Sequence, residues 1–131
     1  MIVIDASALL DVLLRLSPAG NIVEERVFEV NQTVHVPHLL DLEVTQVLRK
    51  RALNGLMAVP RCLRALDDLT NLRLLRYPHD FLLSRVWELR NNVSAYDAIY
   101  VALAEYLGAP LLTRDRRMAN ASGHHAQIEL V

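Results

Sequence analysis

The chain has 131 residues, of which 53% are hydrophobic and 22% are charged, and its formal net charge is −1. This length suits one globular domain spanning residues 1–131, and the composition and charge exclude a disordered chain or a uniformly basic protein that coats nucleic acid. There is no apolar run long enough for a membrane span, Asp5 interrupts the apolar start before it could act as a secretory signal, and Cys62 is the single cysteine, so we expect a cytoplasmic protein.

Strand and helix patterns alternate along the chain. Apolar or β-branched runs predict five strands, over residues 2–4, 33–36, 72–76, 111–113 and 127–130. Helical patterns are predicted between or after them, over residues 8–14, 22–30, 37–55, 60–69, 80–90, 94–107 and 116–121. Pro37 suits the first turn of the third helix, where a missing N–H has no cost, and Gly20 is predicted to separate the first two helices.

Strands separated by helices require crossover connections. The sequence therefore predicts an α/β domain with a largely parallel central sheet and helices on both faces. In such sheets, ligands bind in the crevice outside the carboxyl ends of the strands.

Four acidic residues fall where the predicted elements could deliver them to that crevice. Asp5 ends the first strand, Asp115 follows the fourth, Glu43 lies in the first two turns of the third helix, and Asp97 lies near the start of the sixth. Carboxylate oxygens are the ligands that Mg²⁺ and Mn²⁺ prefer, and clustered carboxylates repel one another unless a cation is present. The four acids together predict a metal site.

Each acid also has an ordinary structural interpretation. Asp97 follows Ser94 by three residues and could complete a capping box, and Asp115 could cap the short helix that follows it. Glu43 could be a solvated helix residue that is favoured by the helix dipole. Asp5 fits such an interpretation least, because an acid that closes an apolar strand is nearly buried and needs a partner.

Polar residues beside these acids are candidates for supporting roles. Ser7 and Thr113 each lie two residues from an acid and could hydrogen-bond to the carboxylates, although a turn-stabilising hydroxyl is the alternative. Arg114, Arg116 and Arg117 flank Asp115 and could hold RNA phosphates, or could simply be solvated.

Taken together, these segments resemble the PIN-domain family and, within it, the VapC-type toxins. The resemblance is carried by residues 5–7, Glu43, the segment 96–104 and the Thr-x-Asp of residues 113–115, in the same order along the whole chain. It implies a three-layer α/β/α sandwich and a Mg²⁺- or Mn²⁺-dependent endoribonuclease. It also implies inhibition by a VapB-type antitoxin, and a homodimer or a larger toxin–antitoxin assembly.

The resemblance assigns roles to the acids residue by residue. Asp5 and Asp97 are expected to be the principal metal ligands, Glu43 and Asp115 to complete the catalytic pocket, and Ser7 and Thr113 to support it. Water activated by the metal is then expected to attack the phosphodiester and to leave a 5′-phosphate and a 3′-hydroxyl.

Three other interpretations compete with a nuclease. A receiver-type signalling domain would need an acid at the end of the third strand, where Arg76 and Tyr77 stand, and a lysine near the last strand, whereas the chain has only Lys50. A dinucleotide-binding domain would need a glycine-rich loop, which four glycines in the whole chain do not supply. The remaining alternative is a PIN-like scaffold that binds RNA or a partner without cutting.

Overall fold

The computed structural model describes all residues, 1–131, and contains five strands and seven α-helices. The strands are β1 (Ile2–Ile4), β2 (Val34–Pro37), β3 (Leu74–Tyr77), β4 (Leu111–Thr113) and β5 (Ile128–Leu130). The helices are α1 (Ala6–Leu13), α2 (Ala19–Val27), α3 (Leu39–Leu53), α4 (Val59–Asn71), α5 (Leu83–Glu88), α6 (Ala95–Leu107) and α7 (Arg116–Ala119), with a 3₁₀ turn over Asp80–Leu82 before α5. None of the helices combines the length and the apolar character that a membrane span requires.

The five strands form one sheet in the order β3-β2-β1-β4-β5, and every neighbouring pair is parallel. β1 lies at the centre, where Val3 is in register with His35 of β2 on one side and with Leu111 of β4 on the other. The chain first builds the sheet outward from β1 through β2 and β3, and then crosses over to add β4 and β5. The carboxyl ends of β1 and β4 therefore border the switch point of the sheet, where a ligand crevice is expected.

The core confirms the predicted three-layer α/β/α sandwich. All three residues of β1 and all three of β4 are buried, as expected for strands covered on both faces. Helix α6 packs on β1, β2 and β4, and its residues from Ala98 to Ala104 are buried without interruption. A segment that is buried all round in this way lies within the core, so α6 is held against the sheet by the two turns that follow Asp97.

The position of Pro37 differs from the prediction. Pro37 is the last residue of β2, in register with Tyr77, and α3 begins only at Leu39. The ladder between β1 and β2 covers only Val34 and His35, so a missing N–H at Pro37 deprives β1 of no partner.

The first helix ends before Gly20, as predicted, but the second helix begins at Ala19 and not at Ile22. Gly20 lies inside α2, which runs over Ala19–Val27, and it does not end a helix. A Cβ atom at this position would lie 2.6 Å from the backbone oxygen of Asp11 in α1. The glycine is thus required by the close approach of two helix backbones.

Replacing Gly20 with alanine is therefore expected to lower the free energy of unfolding by about 2 kcal/mol, because overpacking outweighs the better helix propensity of alanine. Gly55→Ala is the matched control: its φ is +70° and the space around it is open, so its cost of about 1 kcal/mol comes from the backbone alone. Urea denaturation of both variants measures the difference. A Gly20→Ala protein as stable as the wild type would show that α1 and α2 can move apart without cost.

Candidate active site

The structure places the four acids around the carboxyl ends of β1 and β4. Asp5 follows β1 directly, Asp115 precedes α7, Glu43 lies in the second turn of α3, and Asp97 lies in the first turn of α6. Each lies within range of another's charge: Asp97 contributes to a raised pKa of Asp5, both of these contribute to that of Glu43, and Asp115 contributes to that of Asp97. We call this cluster of Asp5, Glu43, Asp97 and Asp115 the acid pocket.

Asp5 is the most highly connected member of the acid pocket. Its side chain caps α1 by accepting the Ala8 N–H at 2.9 Å, and it also accepts the hydroxyls of Ser7, at 2.7 Å, and of Thr113. The residue is only 4% exposed, and burial raises its pKa even though these hydrogen bonds act in the opposite direction. Asp5 therefore has a structural role as a helix cap that the sequence analysis did not foresee.

The hydroxyls of Ser7 and Thr113 connect the ends of β1 and β4. Thr113 donates to Asp5 and accepts the Asp115 N–H at 2.9 Å, while Ser7 donates to Asp5 and accepts the Arg114 N–H at 3.0 Å. Each hydroxyl thus acts as donor and acceptor at once, and together they fix the loop after β4 against the start of α1.

Thr113→Val is expected to slow any reaction at the acid pocket at least tenfold and to destabilise the fold by about 2 kcal/mol. Valine keeps the shape but removes a hydrogen bond from Asp5 and leaves the Asp115 N–H without its acceptor. Thr113→Ser keeps the hydroxyl and serves as the control, and both variants can be compared by RNA cleavage and by thermal unfolding. If valine and serine behave alike, the hydroxyl does not hold the pocket.

Asp97 and Asp115 both begin helices, but their side chains differ in what they do there. Ser94 caps α6 by accepting the Asp97 N–H at 3.2 Å, and the reciprocal bond from the Ser94 N–H to the Asp97 carboxylate is not formed. Burial raises the pKa of Asp97, and the charge of Asp115 raises it further.

Asp115 is the cap of α7, since its Oδ1 accepts the N–H groups of Arg117 at 2.8 Å and Met118 at 3.4 Å. These bonds use Oδ1 alone, so the capping interpretation of Asp115 is correct and leaves Oδ2 for the pocket.

Glu43 is turned toward the interior and is not a solvated helix residue. Its Oε1 is buried and has no hydrogen-bond partner. Burial raises the pKa of Glu43 to about 7, and the charges of Asp5 and Asp97 contribute to the rise. An acid with this pKa exchanges a proton near neutral pH, which is the property of a general base or of a site prepared for a cation.

Tyr100 and Asp11 are neighbours of the site that sequence reasoning missed. The Tyr100 hydroxyl lies beside Glu43, and its position one turn after Asp97 on α6 was the available signal, because residues three apart share a helix face. Asp11 is buried and pairs with Arg114 at 2.5 Å. The sequence alone could not indicate this ion pair, since the two residues are 103 positions apart.

The three arginines that flank Asp115 have different environments. The guanidinium of Arg114 is bound to Asp11, one helical turn along α1 from Ser7, so it is engaged in an ion pair. Arg117 is 94% exposed at its side chain and lies 3.7 Å from Asp115, and Arg116 is exposed as well. Arg116 and Arg117 are therefore the two whose charges are presented to solvent at the rim of the pocket.

Carboxylate oxygens of all four acids could contribute to holding a cation, but no three acid, histidine or cysteine side chains converge into a ready-made set of ligands.

Comparison with known proteins decides the family. Residues 2–123 match the family profile described as PIN domain. Ribonuclease VapC9 of Mycobacterium tuberculosis is 40% identical over 131 residues, which span all of this chain and 98% of that protein. The chain belongs to the VapC ribonucleases of the PIN-domain family. The resemblance predicted from the four acids and their motifs is thereby confirmed.

Solved structures support the VapC fold. PAE2754 from Pyrobaculum aerophilum is 25% identical and has a TM-score of 0.71, covering 97% of this chain and 81% of that one. VapBC2 from Rickettsia felis, bound to a DNA fragment from its promoter, is similar with a TM-score of 0.66 at 15% identity, covering 99% of this chain and 98% of that one. At 15% identity the second likeness concerns the fold alone.

Proposed function

We propose that this VapC-family chain is an endoribonuclease that depends on Mg²⁺ or Mn²⁺ and acts as the toxin of a toxin–antitoxin pair. The observation that carries the proposal is the acid pocket itself, at the switch point of the sheet, with one Glu43 oxygen buried and unpartnered. The 40% identity to a ribonuclease over the whole chain supports the reaction class.

The chemistry of the acid pocket fits a hard divalent cation. Burial of Asp5, Glu43 and Asp97 raises the pKa of each, so ionising all of them together is costly without a positive charge nearby. Asp5 and Asp97 would be the principal ligands, and Glu43 and Asp115 would complete the site. When bound, the ion would activate water at neutral pH and shield charge on the phosphodiester.

The protein's own groups would prepare and orient the reaction. Glu43 can accept or release a proton near neutral pH at Oε1. Ser7 and Thr113 keep the Asp5 carboxylate from rotating. Arg116 and Arg117 present their charges at the rim, where they are the arginines free to contact RNA phosphates, whereas Arg114 is engaged with Asp11.

An RNA cleavage assay tests this function. Wild-type protein is incubated with single-stranded and structured RNA in Mg²⁺, in Mn²⁺ or in EDTA, with Asp97→Asn purified in parallel to reveal any contaminating nuclease. We expect cutting that requires the cation and Asp97, and mapped products that end in a 5′-phosphate and a 3′-hydroxyl. RNA binding without cutting under all conditions would favour a non-catalytic PIN-like scaffold.

The VapB-type antitoxin is proposed to insert an apolar segment between α1, α2 and α4. A groove of about 240 Å³ lies there, with Val12, Leu13, Phe28 and Leu72 in its walls. Leu13 is buried at the base of this groove, whereas Phe28 is exposed. Inhibition of cleavage by the antitoxin, and its loss in a variant of the exposed groove residue Phe28, Phe28→Glu, is the corresponding test.

A homodimer is proposed on separate grounds. Leu83 and Trp87 of α5 and Tyr96 of α6 are exposed large apolar side chains, and they lie along two adjoining shallow grooves. Sedimentation analysis of the wild type and of Leu83→Glu measures whether a second copy covers this surface.

A further inference from the structure

The hydroxyl of Tyr100 is anomalous for a buried group. Tyr100 is 1% exposed, and its hydroxyl has no hydrogen-bond partner. An unpaired buried hydroxyl costs about 1–3 kcal/mol, and phenylalanine would fill the same space without that cost. Packing alone therefore does not explain why tyrosine stands at this position.

The polar group that faces this hydroxyl is Glu43. The chain has three buried side-chain atoms without partners, and two of them, Tyr100 OH and Glu43 Oε1, belong to neighbouring residues in the acid pocket. Burial raises the pKa of Tyr100, and the charges of Glu43 and Asp5 and the interaction with the Glu43 side chain raise it further, against the Ala6 backbone N–H, which lowers it. The hydroxyl is thus the donor that lies beside the Glu43 carboxylate.

We propose that Tyr100 is a positioning residue for Glu43. Its hydroxyl donates to one oxygen of the Glu43 carboxylate, and this bond leaves the other oxygen for a divalent cation in the acid pocket. In this structure the two side chains interact, although neither Tyr100 OH nor Glu43 Oε1 completes a hydrogen bond of good geometry. The inference rests on the proposed metal-dependent function.

Tyr100→Phe tests the inference, with Tyr106→Phe as the matched control because Tyr106 is exposed on the same helix. Isothermal titration with Mn²⁺, without RNA, is expected to show about tenfold weaker binding for Tyr100→Phe and no change for Tyr106→Phe. The kcat for RNA cleavage should fall about tenfold while KM for RNA stays constant. In EDTA, Tyr100→Phe should be at least as stable as the wild type, since it removes an unpaired hydroxyl and keeps the ring.

The double variant Tyr100→Phe/Glu43→Gln tests whether Tyr100 acts through Glu43. If Tyr100 acts through Glu43, adding Tyr100→Phe to Glu43→Gln should cause no further loss of Mn²⁺ affinity. Unchanged Mn²⁺ affinity in Tyr100→Phe, or reduced stability in EDTA, would overturn the positioning role and indicate a purely structural one. Failure of the wild type itself to bind Mn²⁺ would instead overturn the proposed function, so the two outcomes are distinct.

Discussion

Replacing Asp5 with asparagine is expected to slow RNA cleavage about a thousandfold while the domain remains folded. A thousandfold loss corresponds to about 4 kcal/mol of transition-state stabilisation, the scale expected when a principal charged ligand is neutralised. Asparagine can keep the local bonds: its oxygen can accept the Ala8 N–H and the Ser7 hydroxyl, and its amide can donate to Thr113. The substitution therefore separates the charge of Asp5 from its role as a helix cap.

The measurement compares cleavage rates and unfolding midpoints of Asp5→Asn with those of Asp67→Asn. Asp67 is exposed on α4, so its replacement with asparagine removes the same charge at a place outside the acid pocket. We expect full activity from the control and similar stability for both proteins. Activity of Asp5→Asn within a few-fold of the wild type would remove Asp5 from the catalytic machinery.

Without divalent cations, the stability of the protein is expected to fall as pH rises from about 4.5 to about 7. The pKa of Glu43 is about 7 in the folded protein against 4.5 ordinarily, so the folded state binds more protons than the unfolded state across this interval. Stability from this group is complete below 4.5 and is lost as pH rises through 7, with a total on the order of 2–3 kcal/mol. The raised pKa values of Asp5 and Asp97 act in the same direction.

Urea denaturation in EDTA at several pH values measures this loss, and Glu43→Gln isolates it from other titrating groups. We expect the variant to show a much flatter pH dependence, and saturating Mg²⁺ to restore the wild type at pH 8. Parallel curves for the wild type and Glu43→Gln would mean that Glu43 ionises in the folded protein without cost.

The sequence was most informative where one physical requirement dominated. Apolar runs of three residues predicted β1 and β4 correctly, because strands buried on both faces contain little else. Gly20 and Pro37 were each assigned to the wrong side of a boundary. Both residues usually mark boundaries, and both lie at one here. Pro37, however, ends β2, where the short ladder to β1 needs no N–H, and Gly20 lies in the first turn of α2, where a close helix contact requires it.

In the candidate site, too, some features could be predicted from the sequence and others could not. The positions of the four acids at element ends followed from chain order, since parallel strands bring their carboxyl ends to one edge. The pairing of Asp11 with Arg114 and the unpaired hydroxyl of Tyr100 depend on side-chain positions across the fold. Local sequence patterns do not indicate such contacts.

The hydrogen bonds that Ser7 and Thr113 make between the ends of β1 and β4 determine when the acid pocket can form during synthesis. Thr113 reaches Asp5 across 108 positions, and β4 is the neighbour that completes the central part of the sheet. A growing polypeptide that lacks β4 therefore has neither Asp115 nor the Thr113 hydroxyl that binds Asp5. In such a chain the acid pocket is incomplete, so the pocket can form only after β4 has joined the sheet.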